Sequence, residues 1–260
     1  MKPYAELLEF NQPNPIRKPG FTRIRDAFSG LNAAVTVTTG KTPSDGAFFA
    51  DPERIMEFAG RWDYGENNAR KLGETVAVSK VREADGPVHT AESYTAMVPI
   101  IQKYIDMGHE SMIEMGDATF FIECSRVVSH ELVRHRLASF QQESQRFSKV
   151  DGDIDDVFFV PDEMDGPATR SLLEGIQFLY NDMQKVGVAK QLARYILPNA
   201  TRTRLIMKAN IREWRHILKL RLDKSAQPEM QELARQIYDQ LVDVFPNAMS
   251  GVLDSGRAVR

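Results

Sequence analysis

The chain of 260 residues contains a single cysteine, Cys124, so no disulfide can form within it. Disulfide-rich scaffolds of secreted proteins are therefore excluded, and we expect an intracellular, cytoplasmic protein. No apolar run approaches the roughly 18 residues that a membrane-spanning helix needs. Residues 1–6 lack the apolar core of a signal peptide, so the sequence predicts no membrane association.

Positive charge is not in excess, because 33 basic and 36 acidic residues give a formal net charge of −3. Nonspecific nucleic-acid binding depends on clustered positive charge, so the composition predicts no nucleic-acid partner. The chain is 42% hydrophobic, which is typical of a globular protein with a buried core. Its length fits one large domain or two small ones.

Several common catalytic motifs are also missing. The sequence has no Gly-x-Gly-x-x-Gly after a predicted strand, no P-loop and no Gly-x-Ser-x-Gly. His130 and His135 resemble a zinc-protease pair, but a step of five residues rotates the second histidine by about 140° from the first. We therefore predict no metal site. Cys124 ends an apolar run, where a small buried residue is the ordinary interpretation.

Apolar spacing predicts a mixture of helices and strands. Helices are predicted from residue 51 and over 91–107, 126–138, 167–186, 188–197, 209–222 and 228–244. Strands are predicted at 33–38, 119–124 and 157–160. Gly108 follows the helix that ends at 107, where a terminal glycine is expected.

The densest polar motif is Arg134-His135-Arg136, followed by Ser144 and Arg146. Arginine binds phosphate or carboxylate through paired hydrogen bonds, so this motif suits a phosphate pocket. A solvated basic helix end is the alternative interpretation. A second basic cluster lies over 210–221, and an amphipathic helix with exposed basic positions explains most of it.

Four segments, in the same order, resemble the flavin-dependent thymidylate synthases. Arg-His-Arg, seven residues and then Ser matches residues 134–144, and Gly-His-x-Ser with a later Glu matches 108–114. Ala-Arg-x-x-Leu-Pro matches 193–198, and Asn-x-Arg-x-x-x-His-x-x-x-x-Arg matches 210–221. The likeness extends from about residue 70 to 245.

This resemblance implies an α+β fold in which helices flank a central antiparallel sheet. It implies a homotetramer that holds FAD between subunits and has its active sites at the subunit interfaces. The expected reaction is methylation of dUMP at C5, with 5,10-methylenetetrahydrofolate as carbon donor and NADPH as the source of electrons. Residues 66–260 would form a single catalytic domain. Residues 1–65 would be an N-terminal extension of unassigned role that packs on this domain.

The resemblance also implies site residues, position by position. FAD contacts are expected from Ser111, Arg134, His135, Arg136, Gln142, Asn210, Ile211, Arg212 and His216. dUMP contacts are expected from Glu131, Leu132, Val133, Arg134, Gln142, Glu143, Ser144, Gln145, Arg146, Arg194 and Arg221. Arg221 is the expected catalytic residue, since its fixed charge would stabilise negative charge on the uracil ring. His109 is expected near the flavin and folate.

Two positions depart from the commonest family pattern: Phe147 stands where tyrosine is frequent, and Ser225 where histidine is frequent. Alternatives are a dUMP hydroxymethylase of the same family, a non-catalytic nucleotide-binding protein and an arginine-rich nucleic-acid-binding protein. The last explains neither the four ordered motifs nor the net charge. Because a flavin supplies the redox chemistry, the resemblance also predicts no cysteine nucleophile.

Overall fold

A four-stranded antiparallel sheet forms the centre of the computed structural model, which describes residues 3–10, 53, 56, 59–60, 98–148 and 150–253. The strands are β1 (Tyr4–Phe10), β2 (Asp117–Ser125), β3 (Ala138–Gln142) and β4 (Arg202–Asn210). Their order in the sheet is β1-β2-β4-β3. The α+β architecture with a central antiparallel sheet is therefore confirmed.

Seven α-helices accompany this sheet in the described ranges. They are α1 (Val98–Asp106), α2 (Arg126–Leu132), α3 (Ile154–Val157), α4 (Pro167–Lys185), α5 (Lys190–Ala193), α6 (Ile211–Arg221) and α7 (Pro228–Val244). Short 3₁₀ helices occupy Ser111–Met115, Asp162–Met164 and Arg194–Ile196. None of the helices among these residues has the length and apolar character required to cross a bilayer.

One face of the sheet packs on the main hydrophobic core. Phe120 of β2 is fully buried, and its ring meets the ring of Trp214 edge-on, with the centroids 5.0 Å apart. The indole Nε1 of Trp214 donates to the carbonyl oxygen of Ala118 at 3.0 Å, so its polar atom is satisfied inside the core. Because Trp214 lies on α6, this contact fixes that helix against the sheet.

Strand β4 was not predicted, although its side chains alternate clearly. Leu205, Met207 and Ala209 are buried, whereas Arg204 and Lys208 are exposed. Such alternation is typical of a strand with one face on the core. The helix predicted from residue 209 therefore begins two residues later, at α6.

Asn210 and Ser125 begin the two helices that carry most of the site. The Asn210 side chain accepts a hydrogen bond from the backbone N–H of Glu213, at 2.8 Å, and so caps α6. Ser125 caps α2 through the backbone N–H of Val128. The Glu229 carboxylate of α7 accepts hydrogen bonds from both the N–H and the Oγ of Ser125, each at 2.7 Å.

Strand β1 belongs to the sheet even though it lies within the predicted N-terminal extension. It pairs antiparallel with β2. The backbone N–H of Ala5 donates to Gln236, and its carbonyl accepts from Gln240, both on α7. An exposed strand edge is thereby covered by a helix. The division of the chain at residue 65 stays a prediction.

Helix α2 ends at Leu132, so the prediction of a helix through residue 138 is wrong. The N–H groups of Val133 and His135 bond back to the carbonyls of Ser129 and Leu132, which closes tight turns. The chain then enters β3, which pairs with β4. Arg134-His135-Arg136 therefore lies in a turn between a helix and a strand.

The predicted strand at 157–160 is also wrong. Residues 154–157 form α3, and only Phe158 makes an isolated antiparallel bridge, to Thr201. Consecutive acidic residues in the first turn of α3 favour the helix, since they meet its positive end. Residues 33–38 and 51–52, which carried the earliest predictions, lie outside the described residues.

The other predicted elements are found where the structure describes them, although residues 91–97 of the helix predicted at 91–107 lie outside the described residues. The strand predicted at 119–124 lies within β2, and the helix at 228–244 has the bounds of α7. The segment 188–197 contains α5 and a 3₁₀ helix. Helix α1 is followed by Gly108, whose positive φ of 79° favours glycine. Helix α4 buries Leu173 and Tyr180 in a second, smaller core but leaves other apolar positions exposed.

Candidate functional site

Arg221, the last residue of α6, is held by three hydrogen bonds. Its Nε donates to Nε2 of His135 at 3.2 Å. Its Nη1 donates to Oε2 of Glu131 at 2.8 Å, and its Nη2 to the Glu131 carbonyl oxygen at 3.3 Å. The guanidinium is thus fixed between the end of α2 and the following turn, while about a fifth of the side chain (21%) remains exposed.

His135 is buried behind Arg221, with 7% of its surface exposed. Burial, followed by the charges of Arg221 and His216, lowers its pKa from 6.5 to about 4. The ring is therefore neutral at pH 7. An arginine Nε–H always donates, so Nε2 of His135 is the acceptor and its proton lies on Nδ1. That Nδ1 faces Oε1 of Glu213 at 3.6 Å.

A second group of cations lies at the other end of α2. Burial and then the charge of nearby Arg194 lower the pKa of Arg126, the first residue of α2. Neither arginine has an ion pair among the described residues. Two neighbouring guanidiniums without a carboxylate form a site that favours an anion.

Arg146 reaches the same region through contacts with α5. Its Nη2 donates to Oε1 of Gln191 at 3.4 Å. Lys190 donates from Nζ to the carbonyl oxygen of Phe147 at 2.6 Å, which holds the loop of Arg146 against α5. Because Arg194 follows α5 directly, the structure brings Arg146 and Arg194 to one side of the molecule.

Helix α2 connects the two groups. Arg126 begins the helix and Glu131 is its penultimate residue, so the rise between them is roughly 7.5 Å. The site therefore has an anion-binding end and an end built around Arg221. Such an arrangement suits a ligand with an anionic group on one side and a ring on the other.

Gln142 links α2 to the sheet from the end of β3. Its Nε2 donates to the Oγ of Ser129 and to Oγ1 of Thr203, both at 3.1 Å. The next residue, Glu143, donates from its backbone N–H to the carbonyl of Arg204 at 2.8 Å. These bonds fix the start of the segment that is predicted to contact dUMP, which continues with Ser144, Gln145 and Arg146.

A third group forms around Arg212, on the first turn of α6. Its Nη1 donates to Oε1 of Glu114 at 2.6 Å, and its Nε lies 3.6 Å from Oε2 of Glu110. Ser111 begins the 3₁₀ helix next to these glutamates. Arg212 and Arg221 lie nine residues apart on α6, which corresponds to about 13 Å. The predicted FAD residues therefore extend along this helix.

Arg134 and Arg136 are exposed on either side of the buried His135. Neither has an ion pair within the described part of the chain. Leu137, immediately after them, exposes 75% of its surface. Two unpaired guanidiniums suit a pyrophosphate, and exposed apolar surface suits a planar ring. The donor set therefore fits the flavin dinucleotide that the resemblance implies.

Some predicted contact residues use their side chains for the fold. Asn210 caps α6, and Ile211 and Leu132 are buried in the main core. Ile211 donates its N–H to the carbonyl of Gly116 at 2.9 Å. Val133 is exposed. The pocket that Glu143 and Gln145 line measures about 100 Å³, well below the roughly 300 Å³ of a small-molecule site.

Three residues of the site were not predicted from the sequence: Glu213, Arg126 and Gln191. Glu213 stands three residues after the helix cap Asn210, where glutamate is common at the start of a helix. Its position in the sequence therefore did not indicate that it lies beside His135. Arg126 lies outside the four family motifs, so no motif indicated a role for it. Only the fold brings it to Arg194.

Neither a reactive thiol nor a metal-binding cluster is found at this site in the described residues. The Cys124 thiol has no exposed surface, and burial, then the charges of Glu229 and Glu123, raises its pKa far above the ordinary value. The thiolate is therefore disfavoured. In the described ranges, no group of three or more His, Cys, Asp or Glu side chains is placed to hold a metal ion.

Comparison with known proteins shows the family of the chain. A family model described as thymidylate synthase complementing protein (Thy1) matches residues 47–247. The flavin-dependent thymidylate synthase of Thermococcus onnurineus (strain NA1) is 36% identical over 176 residues, covering 65% of this chain and 67% of the relative. That of Geobacter sulfurreducens is 32% identical over 202 residues, covering 75% and 80%.

A solved structure has a similar fold. The UMP/dUMP methylase PolB from Streptomyces cacaoi, bound with 5-Br dUMP, superposes with a TM-score of 0.65 and 18% identity. The superposition covers 100% of this chain and 98% of PolB. The family match spans most of the chain and includes the helices and strands that carry all three groups. The chain therefore belongs to the thymidylate synthase complementing protein family, the family of the flavin-dependent thymidylate synthases.

Proposed function

We propose that the protein converts dUMP to dTMP by reductive methylation at C5. 5,10-Methylenetetrahydrofolate is the carbon donor, and NADPH supplies the electrons through FAD. The observation that carries this proposal is the fixed position of Arg221, whose guanidinium is held by His135 and Glu131 at one end of α2. The other end of the same helix offers unpaired positive charge.

The cations at the start of α2 bind the phosphate of dUMP. Its dianion replaces the mutual repulsion of Arg126 and Arg194 with charge-assisted hydrogen bonds. Arg146, held against α5 by Gln191, adds a third guanidinium. Ser144 and Gln145 lie in the same segment and supply neutral donors. Binding of the phosphate at these residues would orient the nucleotide so that its base extends towards Arg221.

Arg221 stabilises the negative charge that develops on the uracil ring when C5 becomes nucleophilic. Its orientation is set before substrate arrives, so little reorganisation is needed during the reaction. His135 is neutral and adds no competing positive charge beside it. Glu131 accepts from Nη1 through its carboxylate and from Nη2 through its backbone carbonyl, so it fixes the plane of the guanidinium.

Arg134 and Arg136 bind the pyrophosphate of FAD, and Ser111, Gln142, Asn210, Ile211, Arg212 and His216 contribute further contacts. When bound, the flavin supplies hydride chemistry that no side chain can provide. His109 borders the flavin and folate. The exposure of both arginines leaves them available to a cofactor shared with another subunit.

The active assembly in this proposal is a homotetramer with sites between subunits. Helix α4 supports it, because Leu172, Phe178 and Leu179 on this helix expose 64%, 69% and 45% of their surfaces. Tyr195 exposes 83% close to the phosphate-binding arginines. Exposed apolar side chains of this kind are typical of subunit interfaces. Residues 66–260 form the catalytic domain, and residues 1–65 pack on it, with β1 pairing to β2 of its sheet. A cytoplasmic location is proposed because the chain has a single cysteine.

The test is reconstitution with FAD. The protein should be yellow, and its flavin absorbance should bleach when NADPH and dUMP are added. Incubation with methylenetetrahydrofolate should then yield dTMP on chromatography. A protein that cannot take up FAD would contradict the proposal, whatever its oligomeric state. Light scattering of the same sample tests the tetramer separately.

The main alternative is a hydroxymethylase of the same family, because Phe147 and the N-terminal residues 1–65 depart from the common pattern. The two products differ in mass, so mass spectrometry of the same incubation distinguishes them. Binding of nucleic acid is not favoured, since the net charge of −3 leaves no overall excess of positive charge.

A further inference from the structure

Glu213 is a buried acidic residue beside the ring that holds Arg221. Only 7% of its surface is exposed, and its Oε1 lies 3.6 Å from Nδ1 of His135. The cap formed by Asn210 on its backbone N–H fixes this part of α6. Burial raises the pKa of the Glu213 carboxyl, and the nearby His216 partly offsets this. A buried carboxyl with no part in the core requires an explanation.

The proton of His135 has two possible positions. In the neutral ring, one nitrogen carries the proton and the other accepts. Arg221 keeps its Nε–H under all ordinary conditions and directs it at Nε2. If the His135 proton were also on Nε2, two N–H groups would face each other and the hydrogen bond would be lost. The position of a single proton therefore decides whether Arg221 is held.

The groups around the ring determine that position. Among the described residues, Arg221 and His216 of α6 present positive or titratable groups to His135, and Glu131 of α2 stands behind Arg221. Glu213 presents a carboxyl to the opposite nitrogen. A carboxyl oxygen near Nδ1 favours the proton on that nitrogen and disfavours it on Nε2.

We propose that Glu213 is a positioning residue, which keeps the proton of His135 on Nδ1 so that Nε2 accepts the Nε–H of Arg221. Glu213 therefore acts through His135 on the orientation of the Arg221 guanidinium. This inference rests on the proposed function for the importance of that orientation. The placement of the proton itself does not depend on the reaction.

The test uses two substitutions that differ in one property. Glu213→Gln keeps a side-chain oxygen whose partial negative charge can face Nδ1–H, whereas Glu213→Leu has a similar size and no such oxygen. Glu163→Leu, on the exposed 3₁₀ helix Asp162–Met164, is the matched control. The FAD-loaded proteins are labelled with nitrogen-15 histidine, and His135 is assigned by comparison with His135→Gln. Nitrogen-15 NMR then reports which ring nitrogen carries the proton.

We expect the proton on Nδ1 in the unsubstituted protein, in Glu213→Gln and in Glu163→Leu. In Glu213→Leu, Nε2–H should become populated, and kcat should fall ~10-fold, the equivalent of one lost hydrogen bond, with KM for dUMP changing less. Glu213→Gln should recover kcat to within ~2-fold of the unsubstituted protein, since its oxygen replaces the carboxyl oxygen.

Two results would overturn the inference. One is a proton on Nε2 in the unsubstituted protein, a measurement that needs no variant to fold. The other is an unchanged His135 proton in a folded Glu213→Leu. Failure of the proposed function has a different signature, because the unsubstituted protein would then form no dTMP while the proton still moved in Glu213→Leu.

Discussion

Arg221 donates its Nε–H to Nε2 of His135 over 3.2 Å, so the proposed catalytic charge is fixed by a neutral, buried ring. The same guanidinium also donates to the Glu131 side chain. A charge held in place in this way stabilises a developing anion without first reorganising solvent. The proposed chemistry therefore depends on a short chain of side chains from α6 to α2.

Arg221→Lys tests the orientation of this charge. Lysine keeps the positive charge but lacks the planar set of donors that bridges His135 and Glu131. We expect turnover of dUMP to fall ~100-fold, as when one preorganised donor is removed elsewhere. FAD binding should be unchanged, which absorbance of the purified protein measures. Arg235→Lys, an exposed position on α7, is the control. Near-normal turnover in Arg221→Lys would show that charge alone suffices.

His135 makes stability depend on pH. Its pKa is about 4 in the folded chain and 6.5 ordinarily, so between these values the unfolded chain binds more protons. The free energy of unfolding should therefore fall as pH is lowered from 6.5 towards 4, by at most about 3 kcal/mol. Glu213 acts in the opposite direction, because its raised pKa favours proton uptake by the folded state.

The measurement is urea unfolding at several pH values between 4 and 7, for the unsubstituted protein and His135→Gln. Subtracting the two curves removes the contribution of carboxyls that do not face His135. A difference that stays constant with pH would mean that His135 titrates normally in the folded chain.

Arg126→Gln should weaken substrate binding without harming the fold. Removing one of two neighbouring like charges should leave stability unchanged or raise it by about 0.5 kcal/mol. Affinity for dUMP should fall ~10-fold, because one charge-assisted hydrogen bond to the phosphate is lost. Calorimetric titration with dUMP and thermal unfolding measure the two effects. Arg170→Gln is the control, since that exposed arginine already bonds Asp165 at 2.6 Å. A marked loss of stability in Arg126→Gln would indicate a structural role instead.

Cys124→Ala should remain active. The thiol is fully buried in β2 and its raised pKa disfavours the nucleophilic thiolate. Removing the sulfur from the core should cost about 1 kcal/mol of stability. Cys124→Ser should cost more, because it buries a hydroxyl among apolar side chains. dTMP formed per mole of bound flavin is the measure, and a folded but inactive Cys124→Ala would reopen covalent catalysis by cysteine.

The long amphipathic helices could be predicted from the sequence, because their pattern is local. Helix α7 has the predicted bounds, and α4 ends one residue before the predicted end. The turn after Leu132 could not be predicted, since it depends on β3 pairing with β4, more than sixty residues away along the chain. Strand β1 depends in the same way on β2 and α7.

The candidate site was predicted in part. The motifs contain Arg221 and His135, the family resemblance adds Glu131, and the fold brings these three together. Glu213 was assigned no role, because its proximity to His135 arises only in the folded chain. Arg126 was hidden because its relation to Arg194 is spatial and not sequential. The apolar positions of α4 fit a helix that packs on a core, and their spacing alone does not show which of them stay exposed in the folded chain.

The most direct test of the proposed reaction follows one carbon atom. The FAD-loaded protein is incubated with dUMP, NADPH and methylenetetrahydrofolate labelled with carbon-13 in its methylene group, and the nucleotide product is analysed by mass spectrometry. We predict dTMP that carries the label in its 5-methyl group, formed only when both NADPH and the flavin are present. Labelled 5-hydroxymethyl-dUMP, or unchanged dUMP from a yellow and folded protein, would contradict the proposed methylation.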